Sequence, residues 1–180
     1  LELGGRPLLA VTLQPFQLCG KVEAVILMVP SEEVDYCREE IVERFALDKV
    51  RKVVPGGERR QDTVRLGIQA TNGDYDLVLI HDGVRPLIHR RLLEEVLEAA
   101  RTHRAVITGL PARETVKEVD STGRVLKTVE RERVWLAQTP QVFRYEDIFQ
   151  AHETALREGW EEATDDAFLV ERLGIPVHVI

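Results

Sequence analysis

Asp76 to Pro86 reads D-L-V-L-I-H-D-G-V-R-P, and it opens on four uninterrupted apolar residues, Leu77 to Ile80. A run that short, with no polar alternation, is the pattern of a strand covered on both faces, as in a parallel sheet. It stops at His81 and Asp82, and Gly83, Arg85 and Pro86 follow. Open α/β sheets bind their ligands beyond the carboxyl ends of the strands. A carboxylate there, Asp82, can hold a hard cation through oxygen, and Arg85, three residues on, can face the anion that the cation brings. The same residues also suit an Asp capping the next helix with Arg85 in solvent, and this stretch alone decides between neither.

The flanking chain fits an α/β fold with a mainly parallel twisted sheet and helices on both faces. Pro7 suits the first turn of a helix through Leu8, Leu9, Leu13, Phe16 and Leu18, which Pro15 is expected to kink or shorten. Val22 to Val29 reads as a strand, and Ser31 with Glu32 and Glu33 opens a helix expected to reach about Phe45. Lys49 to Val54 is a second strand ended by Pro55-Gly56-Gly57, and a helix is expected from Arg60 to about Thr71. After the Leu77–Ile80 strand come an amphipathic helix, His89 to His103, and a strand, Ala105 to Leu110. Such alternation is the signature of a parallel sheet wound with helices.

The rhythm then changes. Glu114 to Val119 and Val125 to Glu130 alternate in period two around Asp120-Ser-Thr-Gly123, which predicts a β-hairpin. A hairpin inserted in an α/β domain has no place in the main sheet, so residues 112–134 are expected to project as an arm. A projecting ribbon with an apolar face calls for a partner surface, and a homodimer through the arm is the expectation; the other reading lays the arm over its own domain. Trp135 to Phe143 returns to the body, Tyr145 to Arg157 is a helix, and Thr164-Asp165-Asp166 caps another running to Leu173. Pro176 leads into a last strand. The 180 residues make one domain.

Composition narrows the function. With 44% hydrophobic and 31% charged residues the chain is globular, and a net charge of −7 argues against a nucleic-acid or membrane-surface role. Small anionic ligands, which need only a local Arg and Lys cluster, remain open. No apolar run is long enough to span a bilayer, and no signal peptide is visible. Cys19 and Cys37 form no disulfide framework or zinc spacing and read as free thiols of a reducing cytoplasm. The chain opens at Leu1 without an initiator Met and closes on the apolar run Ile175 to Ile180, so both ends are expected to be cut.

Further motifs carry chemistry only weakly when taken singly. In Gly56-Gly57-Glu58-Arg59-Arg60-Gln61-Asp62-Thr63 two glycines let backbone approach a flat ligand, and the following helix N-terminus adds donors. Thr63 can hydrogen-bond a base edge; the plain alternative is a turn with two solvated arginines. Thr115, Lys117, Thr128 and Arg131 can face one way at the ribbon base as a small anion site, or form an ordinary polar hairpin face. Thr164-Asp165-Asp166 by itself is a helix cap. The histidines lack metal-ligand spacing, His152-Glu153 lacks the second His of a zincin, and no Ser/His/Asp or Cys/His arrangement is suggested.

In their order, however, P-G-G-E-R-R-Q-D-T-V, H-D-G-V-R-P, R-E-T-V-K, T-V-E-R, T-P-Q-V-F and A-T-D-D-A resemble the 2-C-methyl-D-erythritol 4-phosphate cytidylyltransferases of the non-mevalonate isoprenoid pathway, over nearly the whole chain. The resemblance implies a Rossmann-like nucleotidyltransferase, usually a homodimer with interlocking hairpin arms, that joins the cytidylyl group of CTP to a polyol phosphate with Mg²⁺ and releases pyrophosphate. It implies that Gly57 and Thr63 read the cytosine, that Arg60 supports that loop, that Asp82 binds Mg²⁺ and that Arg85 helps hold the methylerythritol phosphate. Thr115 and Arg131 of the neighbouring subunit would grip that phosphate, and Thr164 would meet its hydroxyls. A phosphate monoester is already a nucleophile, so no general base is required, and positioning plus electrostatics suffices. The family's opening strand and Gly-rich phosphate loop, and its closing acidic residue, Lys and helix, lie outside these residues, so the chain as printed is not expected to catalyse. Another polyol phosphate such as ribitol 5-phosphate, a non-catalytic nucleotide-binding or dimerisation module, and fusion to a later pathway enzyme are the alternatives.

Overall fold

The structure is a computed structural model and describes residues 1–160 and 163–180. A helix, α1 (Leu8–Leu18), precedes the first long strand, β1 (Val25–Val29). Pro15 lies inside α1 but does not shorten it, because it falls in the last turn, where the carbonyls of Pro15 and Phe16 still receive the Cys19 N–H. A helical stretch over 31–43, α2, passes from a 3₁₀ turn through one α turn into a π turn, and β2 (Val50–Pro55) pairs in parallel with β1. Then come α3 (Arg60–Ala70), β3 (Leu77–Ile80), α4 (Arg90–Ala99) and β4 (Ala105–Pro111). The hairpin is β5 (Lys117–Val119) and β6 (Val125–Thr128). The chain closes with β7 (Trp135–Arg144), α5 (Tyr145–Glu158), α6 (Asp166–Arg172) and β8 (Val177–Val179).

One sheet has the order β8-β4-β7-β3. β8 runs parallel to β4, while β7 runs antiparallel to both β4 and β3, so three strands share a direction and β7 opposes them. The apolar run Leu77–Ile80 is therefore a strand, as expected, but its only ladder among the described residues is an antiparallel one with β7, and it stands at an edge of that sheet. Its continuous apolarity is explained by cover on both faces. Val78 and Ile80 pack with Phe143, Ile148, Ala151 and Leu169 beneath α5 and α6, and Leu77 and Leu79 pack with Val96, Ala100 and Val142 beneath α4. Neighbouring residues of β4 and β7 divide in the same way, Ala105 and Phe143 to one side and Val106 and Val142 to the other, as period-two side chains must. Each such large buried side chain contributes about 1.5–3 kcal/mol of transfer free energy.

All residues of β5 and β6 are exposed, including Val119, Val125 and Leu126, so the hairpin stands off the body and does not fold back over its own domain. Its root exposes Leu110, Trp135 and Leu136 as well. No helix among the described residues is long and apolar enough to cross a membrane.

Candidate active site

The carboxyl ends of β2 and β3 open on the same side as the turn into α3. Gly56 N–H donates to Val29 O at 2.8 Å, which carries the Gly-Gly turn across the end of β1. Gly57 N–H donates to Thr63 Oγ1 at 3.0 Å, tying the turn to the first turn of α3. A Cβ on Gly57 would fall 2.5 Å from the Asp62 Cβ, so only glycine fits this close approach. Asp62 suits the helix N-terminus, and the Arg59 guanidinium grips it at 2.8 and 3.1 Å, holding its carboxyl below the ordinary range.

Antiparallel pairing sets Ile80 opposite Gln141, and this register brings Gln138 to Gln141 of β7 beside His81 and Asp82. The Asp82 N–H donates to Thr139 Oγ1 at 3.3 Å, and Thr139 Oγ1 lies 3.0 Å from His81 Nδ1. His81 Nε2 lies 3.0 Å from Arg85 O, and since a carbonyl only accepts, this nitrogen carries the proton. The loop from His81 to Arg85 is thus closed on itself and on β7. Burial pushes the His81 pKa down.

Asp82 is the focus. Its Oδ2 accepts from Arg85 Nε at 2.8 Å and its Oδ1 from Arg60 Nε at 3.3 Å. Burial opposes ionisation, but these two guanidinium groups outweigh it and hold the Asp82 carboxyl below the ordinary carboxylate range. Each arginine has a second anchor. Arg85 also donates to Gln138 Oε1, and Arg60 Nη1 forms an ion pair with Asp166 Oδ2 at 2.8 Å. Burial works against the Arg60 charge, and the Asp166 and Asp82 carboxylates overcome it and raise its pKa.

These groups line a cleft of about 230 Å³ with Ala137, Gln138, Thr139, Gln141, Thr164 and Asp165. Of the expected site residues, Arg60, Asp82, Arg85 and Thr164 meet here. Gly57 and Thr63 form the loop one helical turn before Arg60. Thr115 and Arg131 do not line the cleft of their own chain; they are exposed on the arm, where Arg131 Nη1 donates to Arg113 O at 3.0 Å and Lys117 Nζ donates to Thr128 Oγ1 at 2.6 Å.

Gln138, Gln141 and His152 have parts in this arrangement that the sequence did not assign, and Asp166 does more than the capping read for it. Buried Gln141 donates to Asp165 Oδ2 at 2.9 Å and accepts from Ala167 N–H at 3.3 Å, stitching β7 to the start of α6 and holding Thr164 at the cleft wall. Asp165 is the cap expected of it, accepting from Phe168 N–H at 2.9 Å. Gln138 anchors Arg85, Asp166 anchors Arg60, and His152 holds Asp166. The T-P-Q-V-F run was a sequence signal for Gln141, and Gln138 stands immediately before it; nothing local marks His152.

A twisted sheet covered on both faces, with arginines and a carboxylate gathered beyond its strand ends, is the Rossmann-like architecture of a nucleotidyltransferase. A family model described as 2-C-methyl-D-erythritol 4-phosphate cytidylyltransferase matches residues 1–180. Relatives of that name from Geobacter metallireducens and Geotalea uraniireducens are 45% and 47% identical, over all of this chain and 78% and 77% of their own lengths. The crystal structure of 4-diphosphocytidyl-2C-methyl-D-erythritol synthase from Anaerococcus prevotii superposes with a TM-score of 0.92 at 32% identity, over 99% of this chain and 78% of that one. The chain belongs to the 2-C-methyl-D-erythritol 4-phosphate cytidylyltransferase family. Membership in an enzyme family sets aside the reading of a non-catalytic module.

Proposed function

We propose that this chain carries the cytidylyl-transfer site of its family: CTP and 2-C-methyl-D-erythritol 4-phosphate react to give the cytidine diphosphate product and pyrophosphate in isoprenoid precursor synthesis. The observation that carries the reading is the convergence of Arg60 and Arg85 on one ionised carboxylate, Asp82, in a cleft at the strand ends. In the reaction a phosphate monoester oxygen forms a new bond to the α-phosphorus of CTP, and the bond from that phosphorus to the bridging oxygen of pyrophosphate breaks. The substrates' negative charges repel, so the chain's task is to align them and neutralise charge.

In this proposal Gly57 and Thr63 read the cytosine, with the close turn admitting the flat base, and Arg60 supports that loop. Arg85 holds the methylerythritol phosphate and Thr164 meets its hydroxyls. Arg131 and Thr115 act from the arm of a second copy, which agrees with an exposed hairpin and with their distance from their own cleft. The 180 residues act as one nucleotidyltransferase domain whose segment 112–134 is the dimerisation arm, in the cytoplasm. Asp82 fits a Mg²⁺ site: it is a hard oxygen donor held ionised at the cleft. Mg²⁺ is commonly bound by one or two carboxylates and completes its shell with phosphate oxygens and water. When bound, the ion would neutralise charge on the triphosphate.

The test is pyrophosphate release by the full-length protein with CTP and Mg²⁺, comparing methylerythritol phosphate with ribitol 5-phosphate. Release with the first substrate is expected, and Asp82→Asn is expected to lower it by about 10²–10³-fold while the melting temperature holds. Release with ribitol phosphate alone, or full activity in Asp82→Asn, overturns the corresponding part of the proposal.

A further inference from the structure

Both oxygens of Asp82 are taken by arginine, so a divalent cation has to compete for them. The two arginines are not held alike. On its far side Arg85 meets Gln138, a neutral amide, whereas Arg60 meets Asp166, a carboxylate whose side chain is 2% exposed. The Arg60 guanidinium is nearer to Asp166, at 2.8 Å, than to Asp82, at 3.3 Å. Behind Asp166 stands His152, 1% exposed, with Nε2 at 3.1 Å from Asp166 Oδ1. A carboxylate oxygen only accepts, so His152 Nε2 is the donor. His152 Nδ1 has no partner among the described residues, so the bond to Asp166 is the one polar contact found for that ring.

A buried carboxylate needs charge compensation, and the Arg60 guanidinium beside Asp166 carries a full charge. Asp166 therefore keeps hold of Arg60, and His152, by occupying Oδ1, leaves Oδ2 facing the guanidinium. We infer that the buried His152–Asp166 pair is a positioning device that draws Arg60 toward Asp166, so that Arg60 holds Asp82 Oδ1 only loosely, at 3.3 Å, and a divalent cation can take that oxygen. This rests on the proposed role of Asp82 as the cation's carboxylate. His152 and Asp166 are positioning residues: they act on the reacting groups through Arg60. Without the charge of Asp166, Arg60 has Asp82 as its one remaining carboxylate among the described residues and closes on it, and cation and guanidinium compete directly.

The experiment measures Mn²⁺ binding to the full-length protein without nucleotide, from the electron paramagnetic resonance signal of free Mn²⁺. The half-saturating Mg²⁺ for pyrophosphate release and the melting temperature are measured beside it. Asp166→Asn is expected to weaken Mn²⁺ about five- to tenfold and to raise the Mg²⁺ requirement by a like factor. His152→Leu should weaken it about two- to fourfold, and His152→Gln, which keeps a donor in reach of Asp166, should restore most of the loss. In an Arg60→Met background Asp166→Asn should have less than about a twofold effect, because the competitor is gone. If Asp166→Asn weakens Mn²⁺ equally in that background, Asp166 acts by its own field and the inference fails. It also fails if the folded His152 variants bind Mn²⁺ like the parent, a result that decides the matter even where Asp166→Asn does not fold. Unchanged Mn²⁺ binding in Asp82→Asn removes the cation from Asp82 and overturns the underlying reading instead.

Discussion

Replacing Gly57 with alanine isolates the nucleotide loop from the rest of the site. The new Cβ would lie 2.5 Å from Asp62 Cβ, 3.2 Å from the Asp62 carbonyl carbon and 3.3 Å from Thr63 N. Carbon–carbon contacts settle at about 3.5–4.0 Å, so the turn and the helix start must part by about 1 Å. Asp62 cannot yield: its Cβ belongs to the first turn of α3, and Arg59 pins its carboxylate through two hydrogen bonds. The turn must move instead, weakening the 3.0 Å bond from Gly57 N–H to Thr63 Oγ1. Because Gly57 is exposed, most of the strain relaxes into that displacement. A residual of about 1 kcal/mol corresponds to a melting-point loss of about 2–4 °C in a chain of this size. The catalytic cost should be larger, since a 1 Å misplacement of a positioning group can lower rates by about 10²-fold. Steady-state kinetics with varied CTP should show kcat/KM for CTP reduced about 10- to 100-fold, with a much smaller effect on the second substrate. Gly20→Ala is the control: its Cβ would meet nothing within 4 Å, and it should change neither kinetics nor melting. If Gly57→Ala keeps kcat/KM for CTP within about twofold of the parent, the turn is not a wall of the nucleotide site.

Two further outcomes are expected. Burial, with Glu33 adding its charge, pushes the Cys37 thiol up, and Cys19 is wholly buried, so neither should react with a thiol reagent at pH 8 in the native protein while both react in denaturant. Rapid native labelling of Cys37 would refute the packing described here. If Arg131 acts from the arm of a second copy, inactive Arg131→Ala and Asp82→Asn proteins should regain activity when mixed under subunit exchange. Each mixed dimer would keep one intact composite site, and no recovery in verified mixed dimers counts against a shared site.

Much of the fold was legible because short-range physics writes it into the chain. The apolar run Leu77–Ile80, the cap at Asp165 and the period-two hairpin around Gly123 each act within a few residues, and each forms where expected. Asp82, Arg85 and Arg60 were legible as candidates because they stand at strand and helix ends, where open α/β sheets bind ligands, and because the motifs that contain them occur in one family's order. Strand direction was not legible. Trp135–Arg144 opposes both neighbours, and nothing in its own residues encodes that, since pairing direction depends on where distant segments dock. The same docking made Leu77–Ile80 an edge strand in its ladder, although its apolar pattern reports only its two covered faces.

The site divides along the same line. Sequence by itself determined which groups carry charge, which turn needs glycine, and which loop follows a strand end, because these depend on residue type and neighbours. Tertiary structure alone decided that Arg60 reaches Asp82 across 22 positions, that Gln141 ties β7 to α6, and that a histidine on α5 meets an aspartate 14 positions later. Those contacts join elements whose approach is set by the packing of the two covered sheet faces. A buried carboxylate such as Asp166 shows its purpose only once the arginine beside it is in place.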